Sequence, residues 1–231
     1  MNLLTLGEEL QEKLAIEPIW NIPLGNIDIP ITKGVVATWG VMAFLVIVSI
    51  IFTRNMKIIP GKKQAAVELA IGKLYGVFYN ILGERGKRYI PYLLTVLLYL
   101  GVSNMLGLIG VAPPTKELNT TAGLAIMSIV LIQYAAIHQR GVKGWLKHFA
   151  HPMGIMLPMN ILELFIKPLS LCMRLFGNIL GAYIIMELII FCIPAVVPLV
   201  FSFYFDIFDG LLQAYVFCFL TSLFIQEAVE D

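Results

Sequence analysis

The chain has 231 residues, of which 59% are hydrophobic and 13% charged, and its mean hydropathy is +0.86. A soluble domain is closer to half apolar and about a quarter charged, so this composition argues against one. The formal net charge of +1 gives no reason to expect a nucleic-acid partner. We therefore expect one membrane domain over residues 1–231, all-α and polytopic, in contact with the lipid bilayer.

The N-terminal part of the chain contains one predicted span and one amphipathic helix. Segment 1–34 begins with an acidic stretch that lacks the basic start of a secretory signal, so we expect it to belong to the mature chain. Residues 35–53 are an apolar run close to the ~20 residues that a helix needs to cross a bilayer. Residues 63–83 mix three charged side chains with apolar ones, which favours an amphipathic helix on the membrane surface or packed on other helices.

Two further spans are predicted at 89–111 and 120–138, followed by a basic loop at 139–151. Of the sixteen Lys and Arg residues, eight lie between positions 54 and 88, and three more lie in the basic loop. The positive-inside rule places both basic regions in the cytoplasm. The N-terminus then lies outside and the C-terminus inside.

The remaining residues, 152–231, are predicted to form a helical hairpin after the N-terminal helices of 35–138. Residues 158–193 are an apolar stretch of about 36 residues, so this helix must tilt, kink or break. Pro168 is the expected kink site. After a proline-bounded break, the last helix covers 199–226. The prediction is five membrane-crossing helices and one surface helix, with the two helices of the hairpin long and tilted.

One face of the predicted helix 158–193 is polar. At 100° per residue its polar and small side chains fall within about 80° of arc. They are Glu163, Lys167, Ser170, Arg174, Asn178 and Gly181. A charge at mid-depth costs about 2.5–3.5 kcal/mol on insertion scales and by default marks a functional pathway. Arg174 keeps its proton in proteins, so it is a fixed positive charge and not a proton carrier.

The last helix carries a second polar face, because Asp206, Asp209 and Gln213 are spaced three and four residues apart. The partner of Arg174 is open at this point. It could be one of these two aspartates, or it could be a carboxylate of another protein. The two aspartates could also be interfacial residues near the outer surface.

Several segments resemble subunit a of the F-type ATP synthases. "KPLSLCMRLFGN" at 167–178 resembles the signature segment of that family, and "GLLQAYVFCFLT" at 210–221 resembles its final helix. "IPGKKQAAVELAIG" at 59–72 and "NTTAGLA" at 119–125 are similar in order and spacing. The resemblance covers most of the chain from about residue 35 onward.

The resemblance implies a stator subunit that faces the rotating c-ring and contacts the peripheral stalk b subunits. The essential arginine of the family falls on Arg174, its neighbouring asparagine on Asn178 and its final-helix glutamine on Gln213. An ionisable position seven residues before that glutamine falls on Asp206. Two half-channels would carry H⁺ or Na⁺ to and from carboxylates of the c-ring, coupling ion flow to rotation and ATP synthesis. No catalytic centre, organic cofactor or metal site is expected in the chain itself.

One position departs from the family pattern. Many relatives have an acid or a histidine nine residues after the arginine, where this chain has Tyr183. Glu187, one turn further on, could take the outer half-channel role, or the two aspartates of the last helix could carry it alone. For the inner half-channel we expect Glu163, although an i,i+4 pair with Lys167 is an alternative role for that residue.

Two other classes of protein remain as alternatives. A secondary transporter could use Arg174 to bind an anionic substrate, but it would show inverted repeats, and none stands out in the sequence. An intramembrane enzyme would need a paired nucleophile and base or a metal cluster. We expect a bacterial plasma membrane as the location, because the chain is compact and its sequence shows no transit peptide. The family resemblance leaves the choice between H⁺ and Na⁺ open, because ion selectivity should lie mainly in the c-subunit.

Overall fold

The computed structural model describes residues 18–24, 27–54, 56–150, 157–192 and 197–230. Within these ranges, five helical stretches are long and apolar enough to cross a membrane: Lys33–Thr53, Lys62–Ile109, Leu118–Val142, Pro158–Cys192 and Pro198–Val229. The expected all-α polytopic fold is therefore confirmed. The helices are α1 Lys33–Thr53, α2 Lys62–Gly86, α3 Ile90–Met105, α4 Leu118–Ala150, α5 Leu157–Cys192, α6 Val197–Ser202 and α7 Gly210–Glu230.

A β-hairpin precedes the first helix, and the sequence pattern did not predict it. Strand β1, Pro18–Leu24, pairs antiparallel with strand β2, Ile27–Thr32, and Ile22 lies opposite Ile29. Both strands are short and rich in isoleucine and proline, so they give little periodic signal. The hairpin leads directly into α1.

The start of α1 is fixed by a carboxylate from another part of the chain. Thr32 is the N-cap residue, and its Oγ1 accepts a hydrogen bond from the backbone N–H of Val35. The same hydroxyl donates to Glu117 Oε2 at 2.5 Å, and Gly34 N donates to Glu117 Oε1 at 2.9 Å. A carboxylate at a helix N-terminus is favourable because it meets unpaired N–H groups and the positive end of the helix dipole. This contact holds α1 against the loop before α4.

The predicted amphipathic helix is present as α2, and it packs on α3 and α7. Phe78 and Leu82 are buried on its inner face, while most of its other side chains are exposed. Gly83 has φ 63° and ψ −167°, so the helix bends there before the 3₁₀ turn Lys87–Tyr89 leads into α3. The second predicted span is confirmed, and it ends in another 3₁₀ turn, Leu106–Ile109.

The expected basic loop at 139–151 is wrong for most of its length. Helix α4 continues to Ala150 and is interrupted only at Gly141, which has φ 70° and ψ 163°. Positive φ is accessible to glycine at little cost, so the chain bends there and resumes a helix. The charged residues that suggested a loop are compatible with a helix outside the bilayer. His151 lies outside the described residues.

Helix α5 is a single helix of 36 residues, about 54 Å if straight, so the long predicted helix is confirmed. Pro168 lies inside it and cannot donate the usual backbone hydrogen bond. Leu171, Leu175 and Ile179 are buried on one side of the helix, and α5 packs against α4.

The sequence predicts one regular α-helix over 199–226, and this prediction is wrong. Helix α6 is followed by a π-helical segment, Phe203–Asp209, and only then by α7. In α7, the buried residues Phe217, Cys218 and Ile225 belong to the hydrophobic core. Helix α7 packs against α2, α3 and α4. The C-terminal helix is therefore the centre around which the N-terminal helices are arranged.

Candidate functional site

Arg174 lies on the exposed side of α5. The leucines on either side of it in the helix, Leu171 and Leu175, are buried, whereas Arg174 and the adjacent Met173 are exposed. In the described part of the chain, the Arg174 guanidinium has no hydrogen bond and no ion pair. Neither aspartate of the last helix is paired with it. Among the described residues, the partner of Arg174 is therefore not an acid of the same chain, which was one of the two possibilities left open by the sequence.

The two predicted polar faces meet one turn beyond Arg174. Asn178 Nδ2 donates a hydrogen bond of 2.8 Å to Gln213 Oε1, which joins α5 to α7. Gln213 is only 1% exposed, and its Nε2 has no partner among the described residues. A buried N–H without a partner is energetically costly, which marks this amide as an unusual feature of the apolar interior. The structure thus brings Arg174, Asn178 and Gln213 into one continuous polar strip.

A cavity of about 430 Å³ lies between the loop after α3, the C-terminal half of α5 and the π-helical segment. Three ionisable side chains line it: Tyr183, Glu187 and Asp206. Tyr183 and Glu187 lie one helical turn apart on α5, and both line this cavity. The chain therefore places two acids from different helices at one internal space, although no acid lies at the position of Tyr183.

Asp206 is held in this cavity by two features. The Ser202 hydroxyl donates a hydrogen bond of 2.6 Å to Asp206 Oδ2. On the other side the carboxylate lies against Gly107, where an added Cβ would overlap its oxygen atoms. Asp209 does not line the cavity. The α-helical spacing that put both aspartates on one face does not apply, because both lie in the π-helical segment.

Asn104 is a buried polar residue of this region that the sequence reasoning missed. Its Nδ2 donates to the carbonyl of Gly210 at 2.8 Å, and its Oδ1 accepts from the Thr115 hydroxyl at 2.8 Å. Both polar atoms are therefore occupied by the protein, so Asn104 joins α3, the following loop and the start of α7. An asparagine within an apolar span was the available signal.

Lys116 is a second residue near the cavity that the sequence pattern did not indicate. It comes from the 3₁₀ turn Pro114–Lys116, and its Nζ lies 3.6 Å above the centre of the Tyr183 ring. A cation at this distance over an aromatic face is attracted by the ring electrons. No local sequence pattern indicates this contact, because Lys116 and Tyr183 are far apart in the chain.

At the opposite end of the hairpin, Lys167 contacts two acids. Its Nζ lies 2.9 Å from both carboxylate oxygens of Glu227 and 3.5 Å from Glu163. The i,i+4 pair that was the alternative role for Glu163 is present, but Glu227 is the closer partner. Glu227 was not predicted, because an acid near the C-terminus normally faces solvent. It links α7 to α5 at this end.

These features define a class of protein: a polytopic membrane protein whose charged and amide side chains meet within its apolar helices, as in ion-translocating proteins. The family described as ATP synthase A chain matches residues 35–226. The chain belongs to this family, the subunit a family of ATP synthases. It is an ion-translocating component of the membrane sector of an F-type ATP synthase, and the family has no catalytic site of its own.

Individual relatives agree along most of their length. The chain is 34% identical to "ATP synthase subunit a, sodium ion specific" of Propionigenium modestum, over 90% of this chain and 77% of that protein. It is 34% identical to ATP synthase subunit a of Moorella thermoacetica, over 93% of this chain and 97% of the relative. The corresponding protein of Geotalea daltonii is 36% identical, over 84% and 86%.

Proposed function

We propose that this chain carries H⁺ or Na⁺ through two half-channels to and from carboxylates of a c-ring. Arg174 stands between the half-channels as a fixed positive charge. It favours the ionised form of each ring carboxylate that passes and repels cations that would otherwise cross directly. The single domain, 1–231, contributes this activity mainly through its C-terminal hairpin, 152–231.

The observation that carries the proposal is the exposed guanidinium of Arg174, which has no partner within the described part of the chain. It lies near the middle of a helix of 36 residues, and its neighbour Met173 is 52% exposed. An arginine facing hydrocarbon costs at least about 2.5–3.5 kcal/mol, so its place is against another protein surface. A carboxylate on that surface would satisfy the planar donor fork, and a ring of identical subunits would present one carboxylate after another.

The outer half-channel is proposed to be the cavity that Glu187 and Asp206 line. Residues of the loop after α3 line it, and its two acids attract cations by charge. The Asn178–Gln213 hydrogen bond lies between this cavity and Arg174 along α5. The exposed guanidinium would face an arriving carboxylate, while the buried Gln213 amide holds Asn178 in place one turn away. Asp209 is outside the cavity lining, and we propose for it only a contact with the ring side.

The inner half-channel is proposed to begin near Glu163. Lys167 is bound most closely by Glu227, so the Glu163 carboxylate keeps part of its capacity to attract cations. The side chain of Glu163 is half exposed, which suits a residue at a channel mouth. Peripheral stalk b subunits are proposed as further partners for the exposed apolar faces of the N-terminal helices.

We further propose that the protein lies in a bacterial plasma membrane with its N-terminus outside and its C-terminus in the cytoplasm. The basic residues between 54 and 88 support this orientation. Either H⁺ or Na⁺ is compatible with two carboxylates and an amide along the path. Ion choice would then depend on the ring site that binds the cation, which belongs to another protein.

The test is Arg174→Ala in the assembled ATP synthase, reconstituted into lipid vesicles. ATP-driven uptake of H⁺ and of Na⁺ should both fall to background, while the complex still contains its c-ring after purification. Arg174→Lys should also fail, because an ammonium lacks the planar fork. Arg54→Ala, an exposed arginine at the end of α1, is the matched control and should transport normally. Coupled transport retained by Arg174→Ala would refute the proposal.

A further inference from the structure

Three consecutive residues of the loop before α4 contact three different parts of the protein. The Thr115 hydroxyl donates to Asn104 of α3, Lys116 lies over the Tyr183 ring of α5, and Glu117 binds the start of α1. Thr115 is completely buried. The adjoining residues Gly110–Pro113 line the acid-containing cavity. Because this turn is tied on three sides, the position of Lys116 is set by the fold.

Lys116 is therefore a cation that the fold holds against a residue of the cavity lining. Its ammonium lies 3.6 Å from the centre of the Tyr183 ring, and Tyr183 lies one turn before Glu187 on α5, where both line the cavity. The contact brings a positive charge to the aromatic residue next to this acid on the helix. A hydroxyl donor and a nearby cation both stabilise the charged form of a carboxylate.

We propose that Lys116 is a positioning residue of the outer vestibule, which sets how tightly that vestibule holds an entering cation. It does so by holding Tyr183 against Glu187 and by opposing the negative charge there. The inference rests on the proposed outer half-channel and adds to it a residue that controls occupancy. An entry site that binds cations too tightly would delay their passage to the ring, so a weakened site favours turnover.

Among the described residues, three elements bring polar or charged side chains to the region of Glu187. Tyr183 is on the same helix, Lys116 comes from the loop before α4, and Asp206 lines the same cavity from the π-helical segment. Asp206 increases the attraction for cations, whereas Lys116 and the Tyr183 hydroxyl reduce it. Removing either of the latter two should leave a vestibule that binds cations more tightly.

The experiment uses the whole complex in vesicles and measures ATP synthesis against cation concentration on the side of residues 110–117. Synthesis is driven by a fixed membrane potential, with H⁺ and Na⁺ varied separately. In Lys116→Gln the half-saturating concentration of the transported cation should fall on the order of threefold. Tyr183→Phe, which keeps the ring and loses the hydroxyl, should shift in the same direction. Lys116→Arg keeps the charge and the ring contact and should retain the wild-type concentration.

Lys33→Gln is the matched control, since this lysine begins α1 on the same side and, unlike Lys116, does not lie over the Tyr183 ring. A shift in Lys33→Gln as large as that in Lys116→Gln would overturn the proposal in favour of general surface charge. An unchanged half-saturating concentration in both Lys116→Gln and Tyr183→Phe would also overturn it, even if the maximal rate fell. Coupled transport in Arg174→Ala would instead refute the half-channel proposal itself, so the two failures are distinguishable.

Discussion

Gly107 has no side chain, and this leaves the space in which the Asp206 carboxylate lies inside the protein. The carboxylate accepts a hydrogen bond from Ser202 and fills the space that a larger residue at position 107 would occupy. Gly107 belongs to the 3₁₀ turn after α3, and it brings the backbone close to the π-helical segment. The position of the acid is thus determined by two elements that are about a hundred residues apart in sequence.

Gly107→Ala should therefore impair transport while leaving the fold in place. The new Cβ would overlap the Asp206 carboxylate, which must rotate away from the cavity. A displacement of about 1 Å can cost up to 10²-fold in activity, and we expect ATP-driven cation uptake to fall roughly tenfold. Gly123→Ala is the control, because nothing lies within 4 Å of its added Cβ. Equal uptake in the two variants would show that the place of Asp206 does not matter.

The helices differ in how well the sequence predicts them. The apolar runs and the polar face of α5 follow from periodicity, because a span of ~20 apolar residues and a repeat of 3.6 are local properties. The bend at Gly141 and the β-hairpin are also local, but short apolar strands and charged helical turns resemble loops. The π-helical segment depends on packing around α3 and α7, which no local pattern contains.

The same distinction separates the site residues that the sequence indicated from those that it missed. Arg174, Asn178 and Gln213 carry polar atoms in apolar helices, so the amino-acid sequence alone indicates that they are unusual. Lys116 and Glu227 look like ordinary charged residues near the ends of helices. Their importance comes from contacts with Tyr183 and Lys167, and these contacts join distant parts of the chain.

At the scale of elements, an ion pair between Lys167 of α5 and Glu227 of α7 joins these two helices at the end away from the acid-lined cavity. Its two N–O distances are 2.9 Å, but the side chains are 24% and 52% exposed. A pair that is partly solvated is screened, so its coupling energy should be below about 1 kcal/mol. We expect the pair to fix the helix ends without contributing much to global stability.

A double-mutant cycle with Lys167→Met and Glu227→Gln measures this coupling in detergent unfolding. The expected coupling is about 0.5 kcal/mol. The parallel cycle with Glu163→Gln should give less, because the Lys167–Glu163 distance is 3.5 Å. A coupling of several kcal/mol for Glu227 would mean that the pair is shielded from solvent and acts as a principal contact between the two helices.

At the scale of the whole molecule, the distribution of charge predicts which side of the protein faces the cytoplasm. The hairpin β1–β2 and the turn Pro114–Lys116 lie on one side, joined through Glu117. The short segment between α1 and α2 lies at the other end of α1, next to most of the basic residues. The positive-inside rule predicts that this second side is cytoplasmic.

Thiol labelling of cells can test that orientation directly. Trp20→Cys and Ile59→Cys place thiols at residues that are 73% and 84% exposed, one on each proposed side. Cys192→Ser should be combined with both, because Cys192 is exposed, whereas Cys172 and Cys218 are buried. An impermeant maleimide should label Trp20→Cys in intact cells stripped of their outer barriers, and Ile59→Cys only after the membrane is opened. The reverse pattern would place the N-terminus in the cytoplasm, and the cavity lined by Glu187 and Asp206 would then be the inner half-channel.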